Sequence, residues 1–244
     1  MEEEKRIRQE NRLQQLFQEA LSEKDPVRRS ELYHKIIEIN PDSAAEYCTR
    51  GEVKNYICDY EGALRDFDKA IELDPNYAVA FCQRGERKKF LDSQEALRDF
   101  DKAIRLDPNY AEAYYRRGSL RQYWLLDSDE ARHDLDKAIE LDPNYAEAYD
   151  ARGDTRRSIH DYMGAIQDYD MAIKLNQDYP RAYHRRGEVK KKIGDCEGAL
   201  KDFDKALDLY SSFYYYVSRA FLRIVMGDMG GAKQDLEAAL KKNK

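Results

Sequence analysis

Arginine and aspartate recur in this sequence in step. Arg50, Arg84, Arg117, Arg152, Arg186 and Arg219 each precede a Gly or Ala, and Asp66, Asp99, Asp134, Asp168, Asp202 and Asp235 follow at a matching interval. A second base stands four residues after each Arg (Lys54, Lys88, Arg121, Arg156, Lys190, Arg223). A second acid stands two after each Asp (Asp68, Asp101, Asp136, Asp170, Asp204, Glu237). A guanidinium facing a carboxylate suits two-pronged hydrogen bonding. Six matched copies predict Arg–Asp ladders between paired segments. The bland alternative is a solvated charged surface worth roughly 0–1 kcal/mol per pair.

Other reactive side chains form no constellation. His34, His133, His160 and His184 share no metal-ligand spacing. Cys48, Cys58, Cys82 and Cys196 contain no C-x-x-C pair, which fits a reducing compartment and no disulfide framework. Cys48 and Cys82 occupy equivalent repeat positions, and helix axes about 8–10 Å apart disfavour a bridge between them. No phosphate-binding loop, nucleophile elbow or H-E-x-x-H is present. The expectation is a chain with no catalytic, cofactor-binding or metal residue: not an enzyme.

A net charge of −6 gives no electrostatic footprint for nucleic acid or anionic lipid. The N-terminal stretch is too charged for a signal peptide, and no run approaches the roughly 18 apolar residues of a membrane span. These features predict a cytoplasmic protein without nucleic-acid or membrane partners.

The elements that must position the charges are repeats. Leu73–Ala78, LDPNYA, returns at 106–111 and 141–146, with a blurred copy at 175–179. Successive Arg-Gly (or Arg-Ala) steps are 34, 33, 35, 34 and 33 residues apart, and the one-residue changes are expected in turns. Tyr114, Arg117, Gly118 and Arg121 share one helical face, as do Ala131, Leu135 and Ala138 on a second helix. Asp59, Asp161, Asp195 and Asp228 are placed to cap second helices, and Pro75, Pro108 and Pro143 to end them. Asn109 with Glu112, and Asn144 with Glu147, have capping-box spacing for the next first helix. Leu13, Leu16, Phe17, Ala20 and Leu21 form an apolar stripe in a degenerate first repeat. Asp25-Pro26 opens its second helix.

This pattern resembles the tetratricopeptide repeats: Tyr or Phe, Gly or Ala four on, then Ala, an aromatic or Leu, Ala and Pro. The resemblance spans roughly 44–244. It implies an all-α fold, a right-handed α-α superhelix of antiparallel helix pairs stacked on one shared core. The boundaries read as one solenoid over 1–244, with a degenerate repeat at 3–41. Repeats follow at 44–77, 78–110, 111–145, 146–179 and 180–212, with a terminal one at 213–244. Two positions depart from the family pattern. Arg stands before the Gly, where leucine is common, and a base stands seven residues after the aromatic, where a second aromatic is common.

By the same resemblance, first helices line the concave face, with open sites one, two, five, eight and nine residues after the aromatic. The early repeats place Cys48, Cys82 and Tyr115 there, with Gln83 and Arg116, then Asn55, Lys89 and Gln122, then Tyr56, Phe90 and Tyr123. Flat aromatics among amides and charges suit a peptide segment. Local packing of these aromatics against the neighbouring turn is the competing reading. Later repeats offer polar and charged groups instead, among them Asp150, Arg157 and His184. Heat-shock-chaperone adaptors of the family clamp a C-terminal carboxylate with Lys and Asn. Here Glu52, Glu86, Ser119, Asp154 and Glu188 stand where the Asn would be needed, and the acids would repel a carboxylate, so that partner class is rejected.

The expectation is therefore a non-enzymatic adaptor holding a protein or peptide partner. A self-associating scaffold is the alternative. Phe213–Tyr216 and Phe221 make the last repeat aromatic, and by the same resemblance many family members carry a further polar helix after their final repeat. An uncovered solenoid end predicts a homodimer through the C-terminal end. The competing reading is that the lysines at 241, 242 and 244 cover it.

Overall fold

The computed structural model describes residues 2–242, with side chains from Ile7; Lys244 lies outside the described residues. The described residues are helical and contain no strand. The chain divides into two compact units, 1–120 and 121–244. Unit 1 holds α1 (Glu2–Ser22), α2 (Pro26–Glu38), α3 (Ala44–Tyr56), α4 (Tyr60–Leu73), α5 (Ala78–Lys88), α6 (Ser93–Leu106) and α7 (Ala111–Leu120). Unit 2 holds a π-helical segment, π1 (Arg121–Leu125), then α8 (Ser128–Leu141), α9 (Ala146–Ser158), α10 (Tyr162–Leu175), α11 (Pro180–Lys192), α12 (Cys196–Leu209), α13 (Phe213–Val225) and α14 (Met229–Lys242).

Local chemistry sets these boundaries. Asp59, Asp92, Asp127, Asp161, Asp195 and Asp228 each accept a backbone N–H from the first turn of the following helix. Before five of these six caps the chain takes a left-handed conformation: at Gly194 and Gly227, but also at Cys58, Leu126 and His160. The joints differ from the expected capping box. Helices α7 and α9 begin one residue too late for Asn109 and Asn144 to cap them, and Tyr145 holds the N-cap of α9 with no side-chain bond. Asp107 and Asp142 instead accept the N–H of Asn109 and Asn144, each at 2.9 Å, closing an Asx turn over the proline. Glu112 turns to Arg116. The extra residue of the 35-residue period also falls elsewhere than expected. It is absorbed in π1, where the wider turn takes up one residue without leaving the helix.

In α3/α4, α5/α6, α9/α10 and α11/α12 the second helix presents a ring to the Gly of the first. A Cβ on Gly51, Gly153 or Gly187 would come within 2.7 Å of Phe67, Tyr169 or Phe203. Alanine there overpacks, at about 1–3 kcal/mol. Phe67, Phe100, Leu135, Tyr169 and Phe203 are fully buried. In the first pair Leu13, Phe17 and Ala20 pack on Leu32, Tyr33 and Ile36. Leu21, expected in that stripe, is exposed and lies outside this cluster.

The charged positions tie the pairs together. Arg50, Arg84, Arg152, Arg186 and Arg219 grip Asp66, Asp99, Asp168, Asp202 and Asp235 through Nε and Nη2, at 2.5–3.0 Å. A second cation meets the same buried carboxylates: Lys54–Asp66 at 2.7 Å, Arg156–Asp168 at 3.0 Å, Lys190–Asp202 at 2.9 Å and Arg223–Asp235 at 2.9 Å. Asp134 receives Arg121 at 2.6 Å. The second set of acids serves the next repeat instead of its own. Arg84 donates to Asp68, Arg117 to Asp101, Arg152 to Asp136, Arg186 to Asp170 and Arg219 to Asp204, at 2.5–2.8 Å. The aromatic three residues earlier lies over each guanidinium, from Tyr47 and Arg50 at 5.2 Å to Tyr216 and Arg219 at 5.8 Å.

Candidate protein-binding clefts on the first helices

Each unit carries an open cleft lined by three successive first helices. In unit 1 it encloses about 550 Å³ over α3, α5 and α7. Glu52, Asn55 and Tyr56 come from α3, Gln83 and Glu86 from α5, and Glu112 and Arg116 from α7. Arg116 bridges Glu112 at 2.5 Å and Glu86 at 3.1 Å. Burial and the charge of Glu112 raise the Glu52 carboxyl from its ordinary 4.5 to about 7, against the pull of Arg116. Burial works against the charge of Arg116, but Glu112 and Glu86 outweigh it and hold the guanidinium above its ordinary pKa. The Asn55 side-chain oxygen is buried without a hydrogen-bond partner.

The cleft of unit 2 encloses about 540 Å³ over α9, α11 and α13. Arg157, Arg181, His184 and Arg185 line it with Tyr214 and Tyr215. Two buried carboxylates support these bases. Asp154 accepts from Arg185 at 2.6 Å, Arg157 at 3.4 Å and the Tyr169 hydroxyl at 2.8 Å, and also from the Tyr123 hydroxyl. Asp150 accepts from Arg181 and from the Tyr179 hydroxyl. Burial raises the Asp150 carboxyl despite Arg181. His184 is stacked on Tyr215 at 4.6 Å and bonded to Ser218 at 2.8 Å. Burial lowers its pKa to about 4, so it is neutral at pH 7.

The residues singled out from sequence distribute unevenly. Asn55, Tyr56, Gln83 and Arg116 line the unit 1 cleft. Cys48 and Cys82 do not line an open groove: they are 1% and 0% exposed and pack in the helical core. Burial pushes the Cys82 thiol up to about 12, so it behaves as a small apolar group. Lys89 pairs with Glu86 beside the cleft. Phe90 is exposed at the end of α5, with Arg87 4.8 Å and Lys89 5.0 Å from its ring. Tyr56 is 57% exposed yet stacks on Tyr33 at 5.8 Å. Tyr123 is exposed while its hydroxyl serves Asp154. Tyr115 and Gln122 are half-buried. Local packing thus occupies part of each aromatic. Sequence reasoning passed over Glu112 and Arg181, which sit two residues before the repeat aromatic. Extending the compared positions N-terminally would have found them.

Among the described residues, no three His, Cys, Asp or Glu side chains are placed to hold a metal ion, and no helix is long and apolar enough to cross a membrane. No curated protein matches the chain. Among solved structures, MamA is 30% identical with a TM-score of 0.56, covering 65% of this chain and 93% of MamA. YrrB, a TPR protein described with an unusual peptide-binding site, is 25% identical with a TM-score of 0.54, covering 75% and 94%. PilF of Pseudomonas aeruginosa shares the fold at 18% identity and a TM-score of 0.72, covering 79% and 88%. Family models for the TPR or tetratricopeptide repeat match residues 92–122 and 153–194, 135–167, and 111–145 and 180–213. Together they span 92–213, half of the sequence, and with the repeating helix pairs they establish that the chain belongs to the tetratricopeptide-repeat family.

Proposed function

We propose that the chain is a non-enzymatic cytoplasmic adaptor that holds a peptide or protein segment on the concave side of its repeats, along the first helices. The family and its structural neighbours support a protein–protein interaction scaffold. The observation that carries the finer reading is the pair of clefts, each open to solvent and lined by three successive first helices. Residues that repeat serve the framework, and residues that vary between repeats collect in the clefts. A peptide laid across three helices gains several side-chain anchors from one rigid surface. The test is selection of binders from a displayed peptide library, followed by hydrogen exchange on the complex. The reading expects protection on first helices, α3, α5, α9 and α11 among them. Protection confined to second helices, or no binder, overturns it.

Self-association is the second reading. It is favoured by exposed apolar side chains on the last pair, including Tyr214, Phe221, Val225, Met229 and Leu240. Sedimentation equilibrium decides: a dimer lost on Phe221→Glu with Val225→Glu supports it, and a monomer at every concentration removes it.

A further inference from the structure

We infer that the unit 2 cleft takes an acidic peptide segment. A carboxylate side chain of the partner would meet Arg157, Arg181 and Arg185, and an apolar neighbour would lie on Tyr214 and Tyr215. This rests on the first-helix binding face and adds the chemistry of the partner.

Charge and hydrogen-bond arithmetic carry it. Three guanidinium groups stand on two carboxylates: Arg157 and Arg185 share Asp154, and Arg181 meets Asp150. Asp154 also takes two tyrosine hydroxyls, so its two oxygens already accept four donors. The Nε donors of Arg157 and Arg181 are buried and lack an acceptor. Both side chains are still 41% exposed, so an incoming group can reach them. The one acid lining the cleft, Glu188, is held by Lys191 at 2.7 Å. Neutral His184 adds no charge and, with Tyr215, offers a flat surface beside the bases. Asp150 Oδ1 beneath Arg181 also lacks a donor, but three guanidinium groups over two carboxylates leave positive charge to spare, next to exposed aromatic area. A carboxylate fits the guanidinium fork. A free inorganic anion would leave the tyrosines unused.

The test is fluorescence anisotropy on the full chain with three short labelled peptides. One alternates Glu with Leu, and the others replace Glu by Gln or by Lys. The Glu peptide is expected to bind at least ~10-fold more tightly than the Gln peptide, weakening as salt rises. Glu188→Gln should tighten it several-fold. Ser218→Glu, at the cleft edge and outside the Arg–Asp ladder, should weaken it, with circular dichroism confirming an unchanged fold. Arg181→Gln should abolish the preference of Glu over Gln. Equal affinity for the Glu and Gln peptides, tighter binding of the Lys peptide, no binding, or an affinity indifferent to both Glu188→Gln and Ser218→Glu overturns the inference. Binders from the displayed library that protect first helices but carry no acidic residue would sink this inference and leave the broader reading standing.

Discussion

The two clefts are built at the same repeat positions and differ in sign. Two residues before the repeat aromatic, unit 1 has Glu112 and unit 2 has Arg181. Eight after it, unit 1 has Asn55 in its cleft and unit 2 has Arg157. Five after it, Glu86 opens to the cleft, whereas Asp154 lies 1% exposed beneath the bases. Three acids therefore line the first cleft with Arg87 and Arg116, and arginines line the second over hidden acids. The lesson is that a repeat framework fixes backbone and spacing, so a few variable positions can reverse the electrostatics of a surface without altering the fold.

The largest test of that contrast compares one repeat position in both units. Asp154→Ala strands Arg185, Arg157 and two tyrosine hydroxyls, and should cost about 3–5 kcal/mol in denaturant unfolding. Glu86→Ala leaves Arg116 its bond to Glu112 and should cost about 0–1 kcal/mol. Equal losses would break the distinction between a hidden and an open acid. The shared framework makes the opposite forecast. Arg84→Met and Arg186→Met each sever one buried and one exposed carboxylate, and should lower stability alike, by about 2–3 kcal/mol. An unchanged or raised melting temperature would mean that hydrophobic replacement serves the ladder as well.

A smaller effect is confined to unit 1. The raised Glu52 carboxyl contributes stability that is full below its ordinary 4.5 and lost as pH rises to about 7. Glu52→Gln should remove that slope and leave the variant about 1–2 kcal/mol more stable than the parent at pH 8, allowing for partial exposure. A parallel pH profile for parent and variant would contradict it. The smallest effect tests the turns. Cys58→Gly in unit 1 and His160→Gly in unit 2 relieve left-handed conformations and should each add up to about 1 kcal/mol, while Gly194→Ala should remove a similar amount. Thermal unfolding of the three variants reads these shifts.

Much of the framework was legible in the sequence, because periodic function leaves periodic residues. Five Arg–Asp pairs, the capping aspartates and the Gly–ring pairs each recur, and recurrence separates them from surface charge. The destination of Asp68 was not legible. It lies 16 residues before Arg84, the same distance that separates Arg50 from Asp66, so spacing could not tell the next repeat from its own. The π-helix was hidden because one inserted residue fits a turn as readily as a widened helix. Cys48 and Cys82 were misplaced because a position next to the aromatic faces the neighbouring helix, and a thiol is too short to reach the cleft. The unit 2 cleft was only partly legible: Arg157 and His184 stood at open first-helix sites, but its bases are spread over α9 and α11, far apart in sequence and adjacent only after stacking.

The central claim is a division of labour between repeated residues that hold the fold and variable first-helix residues that bind. An alanine scan displayed on cells, read in parallel for folded abundance and for capture of a selected peptide, tests it most directly. Substitutions at the ladder Arg and Asp positions should lower abundance and capture together. Substitutions at Gln83, Glu86, Arg181 and Tyr215 should lower capture alone. Capture-only losses that fall on the second helices would contradict the account.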